Sequence, residues 1–424
     1  MHRSEGKQPQ VDEEFDVVVV GGGSAGVAAA VGAARAGCRT RLIEKYGFLG
    51  GAATAASVSI YCGFFDQRRR RVVDGVGGRV LRRLREAGGY QEGSFPWSGN
   101  TFVLLDVETT KAALDRETSA AGVDVRLHST VVAARRQDGR AREIEVSDPA
   151  GRHRIAARAF VDASGDGALC ALAGAGVRVT PLAERQTSTL VCRYGGVVPG
   201  ADLSREGVQA AVAAHNCCSP EPLPREKGVL ARLPVTGEVL GLLVDEHVDA
   251  LDAAALTGAE VSARRQARAY LDAFRTHLSG WEHACLLGTG PQLGIREGRR
   301  LHAREEVCGA DALAARKRPR ESIARCGWPV EVHSGQGATR FVPIEGKGWY
   351  DIPYGAICSA DVDNLWAAGR LTGSDAEAFA SLRVMGTAFA TGHAAGVAAA
   401  LYASGTRHVV PAVRAELLRQ GACV

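Results

Sequence analysis

Glu331 and His333 stand two residues apart in Trp328-Pro329-Val330-Glu331-Val332-His333, and their types suit proton chemistry. On a strand, alternation puts both on one face and within reach of each other. A carboxylate so placed orients an imidazole, whose ordinary pKa lets it move a proton near neutral pH. The same spacing serves equally well as a structural hydrogen-bonded pair. Arg296, Arg299 and Arg300 form a second constellation. Read at helical spacing they share a face. From there Arg296 or Arg300 can clamp a carboxylate through two parallel hydrogen bonds. The ordinary use of such arginines is ion pairing with acids such as Glu297, Glu305 and Glu306. Tyr354, after Ile352-Pro353, offers a phenolic hydrogen bond, though most buried tyrosines are structural. His302 and Cys62 complete the polar candidates.

These groups need a scaffold and a reactive partner, and the glycines supply the clue. Phe15–Val20 is a short valine-rich run that predicts a strand buried on both faces. Ser24–Ala36 is alanine-rich and predicts a helix ended by Gly37, and Thr40–Ile43 predicts a second strand closing at Glu44. Between strand and helix lies Gly21-Gly22-Gly23-Ser24-Ala25-Gly26. The first glycine of a Gly-x-Gly-x-x-Gly turn permits the tight bend. The second lets backbone approach a pyrophosphate, and the third allows close helix–strand packing. The helix N-terminus then offers free N–H groups to phosphates, and Glu44 offers a carboxylate to a ribose diol. Alone, such a turn is common. The correct flanks make it a nucleotide site.

Three further glycine-bearing segments favour an extended cofactor, FAD, over NAD. Gly50-Gly51-Ala52-Ala53-Thr54 lets chain run close beside the ribityl and pyrophosphate region. Ala163-Ser164-Gly165 sits at a strand–turn–helix junction. Gly369-Arg370, followed by Ser381-Leu382-Arg383-Val384-Met385 at an expected helix start, gives a second dipole end. Aimed at the flavin pyrimidine, that end would stabilise negative charge developing on reduction. Lys45 beside Glu44, and Val131 in a later strand, join the cofactor-binding candidates.

These segments resemble the FAD-dependent oxidoreductases with the glutathione-reductase-type FAD fold, related to fumarate reductase and succinate dehydrogenase flavoproteins. The resemblance runs through Phe48–Thr54, Phe160–Gly167, Leu293–Arg300, Tyr350–Tyr354, Asn364–Arg370 and Ser381–Met385, and excludes parts of Pro181–His283. It departs at Asp375-Ala376-Glu377-Ala378, where the family pattern carries Thr-His-Glu-Ala. The family histidine is therefore missing, at Ala376. The resemblance implies an α/β fold: a three-layer Rossmann-like FAD domain with a parallel sheet and a β-meander, interleaved with an α+β substrate domain. The expected division is 12–180, 181–346 as the substrate domain, and 347–424 as the return. It also implies hydride transfer between flavin N5 and a small organic substrate, by dehydrogenation or double-bond reduction. An FAD monooxygenase and a non-catalytic flavin-binding protein are the alternatives.

Further along, Val123–Leu127, Val131–Arg136, Glu143–Ser147 and His153–Ala157 read as a meander, Phe160–Ala163 as a separate buried strand, and Ser381–Tyr402 as one long helix. Composition is that of an ordinary globular protein, with 46% hydrophobic and 23% charged residues and a net charge of +4 that points to no acidic partner. Arg68–Arg71 reads as a solvated hairpin tip rather than an anion patch. Eleven scattered cysteines without Cys-x-x-Cys, and no paired histidines, predict free thiols and no metal. Met1–Glu14 carries no apolar signal core. The apolar stretches Val17–Ala34 and Val384–Ala403 are broken by glycine and read as buried elements rather than membrane spans. The expected setting is cytoplasmic, without nucleic acid or membrane. Expected partners are a small-molecule substrate and a separate electron donor or acceptor, with an oligomer of the chain left open.

Overall fold

The computed structural model describes residues 11–96, 98–334 and 339–424, so most of the polar Met1–Glu14 segment lies outside it. Valine-rich Glu13–Val20 forms strand β1, Ser24–Arg35 helix α1 and Thr40–Ile43 strand β2. β1 lies between β2 and a 12-residue strand, Gly151–Asp162, parallel to both. Beyond β2, Asp124–Arg126 adds a parallel edge strand. The first half of Gly151–Asp162 pairs antiparallel with Arg140–Asp148, which pairs with Thr130–Gln137; its last residues pair parallel with Leu365–Ala367. One long strand therefore belongs to both the meander and the parallel sheet.

Two expectations change here. His153–Ala157 and Phe160–Ala163 are one strand, because Arg158-Ala159 between them contains no turn-forming residue. Residues 123–127 contribute not to the meander but to the parallel edge beside β2.

Alternation along β1 explains the three layers. Val17 and Val19 enter a core shared with α1 and the late helices; Val18 and Val20 enter another, under the meander. The Arg68–Arg71 run turns at a hairpin tip, with Asp66 N bonded to Arg70 O and Arg69 in the left-handed region.

A second unit stands apart with its own core, from Leu190 to Leu293. Its antiparallel sheet runs Val229–Arg232, Val239–Glu246, Ser188–Gly195, Cys285–Thr289. The helices Arg205–Cys218 and Ala253–His277 contribute Val208, Ala211, Val212, Ala263, Ala267 and Phe274 to that core. It does not extend to residue 346 as expected. Val307, Ile323, Trp328 and Ile344 pack into the first core, because Ser322–Cys326 pairs with Tyr350–Pro353 of the returning chain.

The expected Ser381–Tyr402 helix is two helices, Ala376–Leu382 and Met385–Ala403, bent by 97°. No glycine or proline marks the break. Tertiary bonds hold Ser381 instead: its hydroxyl donates to Trp328 O and accepts from the Tyr350 hydroxyl at 3.0 Å. Val384 then turns extended, and a new helix starts at Met385. No single helix among the described residues is long and apolar enough to cross a membrane; this bent pair passes on length and composition only when taken together.

The Met385 helix crosses α1 with backbone nearly touching. A β-carbon on Gly392 would lie 2.1 Å from Ala25 O, and one on Gly396 would lie 1.9 Å from Ala29 O. Helix propensity alone would make Gly392→Ala stabilising by about 1 kcal/mol. The clash outweighs that gain and forces the two helices apart, at a net cost of roughly 1–3 kcal/mol. A lower thermal midpoint for Gly392→Ala is the expected result; an unchanged or raised midpoint would show that the helices have room to spare.

Candidate functional site

The glycine loop is built as its spacing demands. Gly21 is left-handed (φ +97°), with its N–H on Ile43 O at 2.8 Å, and a β-carbon there would strike Ala163 O at 2.5 Å. A β-carbon on Gly26 would lie 1.7 Å from Gly21 O, so Gly26 sets how closely α1 meets the loop. Gly50 donates to Gly22 O at 2.8 Å and bridges Gly23. Gly22, Gly26, Gly50 and Thr54 (hydroxyl on Leu49 O, 2.7 Å) thus shape the loop from behind. Gly21, Gly23, Ser24, Ala25, Gly51 and Ala52 line the cleft.

Glu44 closes this end. Its carboxylate accepts the Gly22 N–H at 2.5 Å and the Tyr46 N–H at 2.9 Å, and it still faces the cleft with lone pairs available. Lys45 lines the cleft beside it, 3.8 Å from Asp166. Ala163, Ser164 and Gly165 continue the wall, held by buried Asp162, which accepts from the Ser164 N–H and hydroxyl and the Cys170 N–H. Arg370 reaches across from Gly369, donating to Gly165 O at 3.0 Å and to Ile295 O. Arg383, Val384 and Met385 end the wall, with the first N–H groups of the Met385 helix carrying no side-chain cap. Ser381 does not take part, being held in the preceding helix. Val131 does not either; it packs under the meander.

The cleft suits an extended, phosphate-bearing cofactor on three grounds. The Ser24 hydroxyl, at the α1 N-terminus, is buried without a partner. The Nε atoms of Arg370 and Arg383 are buried without partners too. Gly23 has an ordinary extended backbone (φ −71°, ψ −174°), and a β-carbon there would meet nothing closer than 3.6 Å. The protein itself does not require glycine at 23. A pyrophosphate over the helix end would.

Glu331 and His333 are brought together on the strand Val330–His333, as their spacing implied. His333 Nε2 lies 3.1 Å from Glu331 Oε1, while Trp328 Nε1 donates to Glu331 Oε2 at 2.8 Å. Burial alone would push the Glu331 carboxyl up; the His333 ring, Arg383 and the Trp328 bond overcome it and hold the group at about 2. Burial, then the Arg296 cation, push His333 down to about 4, against the pull of Glu331. A neutral ring with an anionic neighbour places the proton on Nε2. Nδ1 then accepts from the Thr339 hydroxyl at 3.2 Å. The expectation of an imidazole titrating near neutrality is therefore corrected: burial and a nearby arginine move it out of that range.

The arginine helix is also corrected. Arg299–Leu301 is a short strand paired with Val177–Val179, and the chain before it is irregular, so no helical face exists. Arg296 enters the cleft, with Nη1 on Thr187 O at 2.5 Å and 3.5 Å from Asp245. Arg299 donates to Asp166 O at 2.9 Å. Arg300 is buried in an ion pair with Glu297 at 2.6 Å, outside the cleft. Tyr354 is also outside it: its hydroxyl lies 3.1 Å from His408 Nδ1 and accepts from Trp366 Nε1 at 3.2 Å. His302 faces Asp361 and does not line the cleft, whereas Cys62 does. Sequence reasoning missed Arg225, Lys227 and Thr339, which also line it. Arg225 follows a proline-rich break with no periodicity to advertise it. Among the described residues no cluster of metal-ligating side chains occurs.

A Rossmann-like sheet whose glycine loop, acidic strand end and second helix end share one cleft defines a dinucleotide-binding flavoprotein. Sequence comparison agrees: the model of the FAD dependent oxidoreductase family matches residues 16–420. The chain belongs to that family of enzymes, and its cofactor is FAD. No curated protein matches the sequence. Among solved structures, the fold is similar to that of a geranylgeranyl bacteriochlorophyll reductase-like protein from Thermoplasma acidophilum. The identity is 14% and the TM-score 0.50, over 97% of this chain and 84% of that one. The flavin-dependent brominase Bmp2 aligns at 13% identity and a TM-score of 0.48, over 96% and 83% of the two chains. The p-nitrophenol 4-monooxygenase PnpA from Pseudomonas putida DLL-E4 aligns at 15% and 0.39, over 69% and 70%.

Gly23→Ala separates ligand demand from fold demand. The expected outcome is an unfolding free energy of the cofactor-free chain within about 0.5 kcal/mol of the parent, with FAD content after purification reduced at least about tenfold. Full retention of FAD would contradict the placement of a phosphate over the α1 N-terminus.

Proposed function

We propose that this enzyme moves a hydride between N5 of FAD and a small organic substrate held at the Arg296–His333 end of the cleft. The observation that carries the reading is continuity: the glycine loop, Arg383, Glu331, His333 and Arg296 line one cavity. Bound FAD supplies the hydride chemistry. The chain's own groups then position the substrate, exclude water and manage charge. Arg296 and Arg225 share Asp245, which fixes both guanidiniums toward the cleft. Arg383 donates to Glu331 O at 3.1 Å and ties the strand of the pair to the start of the Met385 helix. Thr339, His333 and Glu331 form a hydrogen-bonded line that leads inward from the cleft. In this reading the line fixes the Thr339 hydroxyl, whose oxygen accepts a hydrogen bond from the substrate. A molecule separate from the substrate completes the cycle as electron donor or acceptor.

The test is anaerobic mixing of the purified flavoprotein with candidate substrates, followed in the flavin absorption band. Oxidised enzyme should bleach with a reduced substrate, or reduced enzyme should regain its band with an unsaturated one. His333→Asn should slow that step at least about tenfold while FAD content is retained. Reaction only with oxygen, with an oxygen atom appearing in the product, would assign oxygenation instead of hydride transfer.

A further inference from the structure

Charge around the inner end of the cleft does not balance. Three guanidiniums gather there, Arg225, Arg296 and Arg383, with Lys227 also in the lining; Asp245 and Glu331 answer them, while Glu297, which also favours the Arg383 charge, is already paired with Arg300. His333 lies among them as a neutral ring. The positive surplus falls on buried groups, so it raises the energy of every cation among them. Arg296 shows the strain, pushed down to about 10 by burial despite Asp245 beside it.

The spare hydrogen-bonding capacity is also localised. All the hydrogen bonds of Arg296 leave from Nη1, to Thr187 and Asp245. Its Nε and Nη2 are not among the buried atoms lacking a partner, so they have room on the cleft side. Two such N–H groups form a planar fork matched to the two oxygens of one carboxylate. One stretch of the wall is apolar. Phe95, Trp328, Phe341, Ile60, Val229 and Leu242 line the same cavity, with Phe95 and Trp328 packed edge to face at 6.4 Å. A second charged group laid on that wall would lose its hydration without compensation.

Resting on the hydride-transfer reading, we propose that the substrate is a monocarboxylate with a flat apolar body. Its acid group seats on the free edge of Arg296, and its body lies against the Phe95–Trp328–Phe341 wall. A carboxylate on Arg296 reduces the surplus; an uncharged amide leaves it, and a dicarboxylate laid the same way places a charge on the apolar side.

The experiment is equilibrium binding to the oxidised, FAD-loaded enzyme, read by perturbation of the flavin spectrum and by calorimetry. The probes are benzoate, benzamide and terephthalate, which share one ring and differ in charge. Benzoate should bind at least tenfold more tightly than either of the others. Arg296→Gln should abolish the preference for acid over amide while FAD content and thermal midpoint stay unchanged, and Arg296→Lys should restore part of it. Equal binding of benzamide, tighter binding of terephthalate, or no binding by any of the three would overturn the proposal. Because no turnover is needed, the two readings fail separately. Selective benzoate binding in an enzyme that only oxygenates would sink hydride transfer alone, and flavin bleaching by an uncharged substrate would sink the monocarboxylate alone.

Discussion

Backbone contact between α1 and the Met385 helix is the constraint on which the rest of this structure depends. Gly392 and Gly396 press against Ala25 and Ala29 with no side chain between them. Each helix begins at the same cleft, α1 at Ser24 and the other at Met385. Their crossing therefore sets the distance between two positive dipole ends. One end would serve a pyrophosphate and the other a flavin ring whose charge changes on reduction. Small residues at the crossing are thus a functional requirement as much as a packing one. The 97° bend before Met385 belongs to the same arrangement, since it aims the second helix end inward.

Electrostatics at the inner end follow from the same compactness. Because Glu331, His333, Arg296 and Arg383 are brought into a confined space, each changes what the others can do. Glu331 stays ionised since a neighbouring ring, an arginine and an indole N–H all favour its charge. His333 stays neutral since burial and Arg296 oppose a further cation. The pair behaves as one fixed polar line rather than as two independent titrating groups. Arg225, Arg296 and Asp245 join the second unit to this line, so the proposed substrate end of the cleft lies where the two cores meet.

What the sequence revealed was what short-range rules control. The βαβ start, with Gly21, Gly26 and Glu44, was readable because steric demands on a tight turn act within a few residues. Glu331 and His333 were readable because strand alternation is local. Arg299 and Arg300 were misplaced because helical spacing was assumed for an irregular stretch whose shape is set by pairing with Val177–Val179. The break at Arg383-Val384 had no local signal, since bonds from Ser381 to Trp328 and Tyr350 impose it from elsewhere in the chain. Tyr354 ends a matching segment and Val131 lies in a later strand, yet each faces a different core or network. Arg225 and Thr339 could not have been found, because only the tertiary fold carries them to the site.

The central claim is that one cleft holds the whole of an FAD molecule, with Glu44 and the α1 end gripping the adenosine diphosphate half. Stripping the flavin and titrating the apoprotein with FAD and FMN, by fluorescence, tests this most directly. One FAD per chain is expected, with FMN binding weaker by at least about a hundredfold, because FMN lacks the adenosine that Glu44 would hold and one of the two phosphates that would lie over the glycine loop. Equal affinity for the two flavins, or no flavin bound at all, would contradict it.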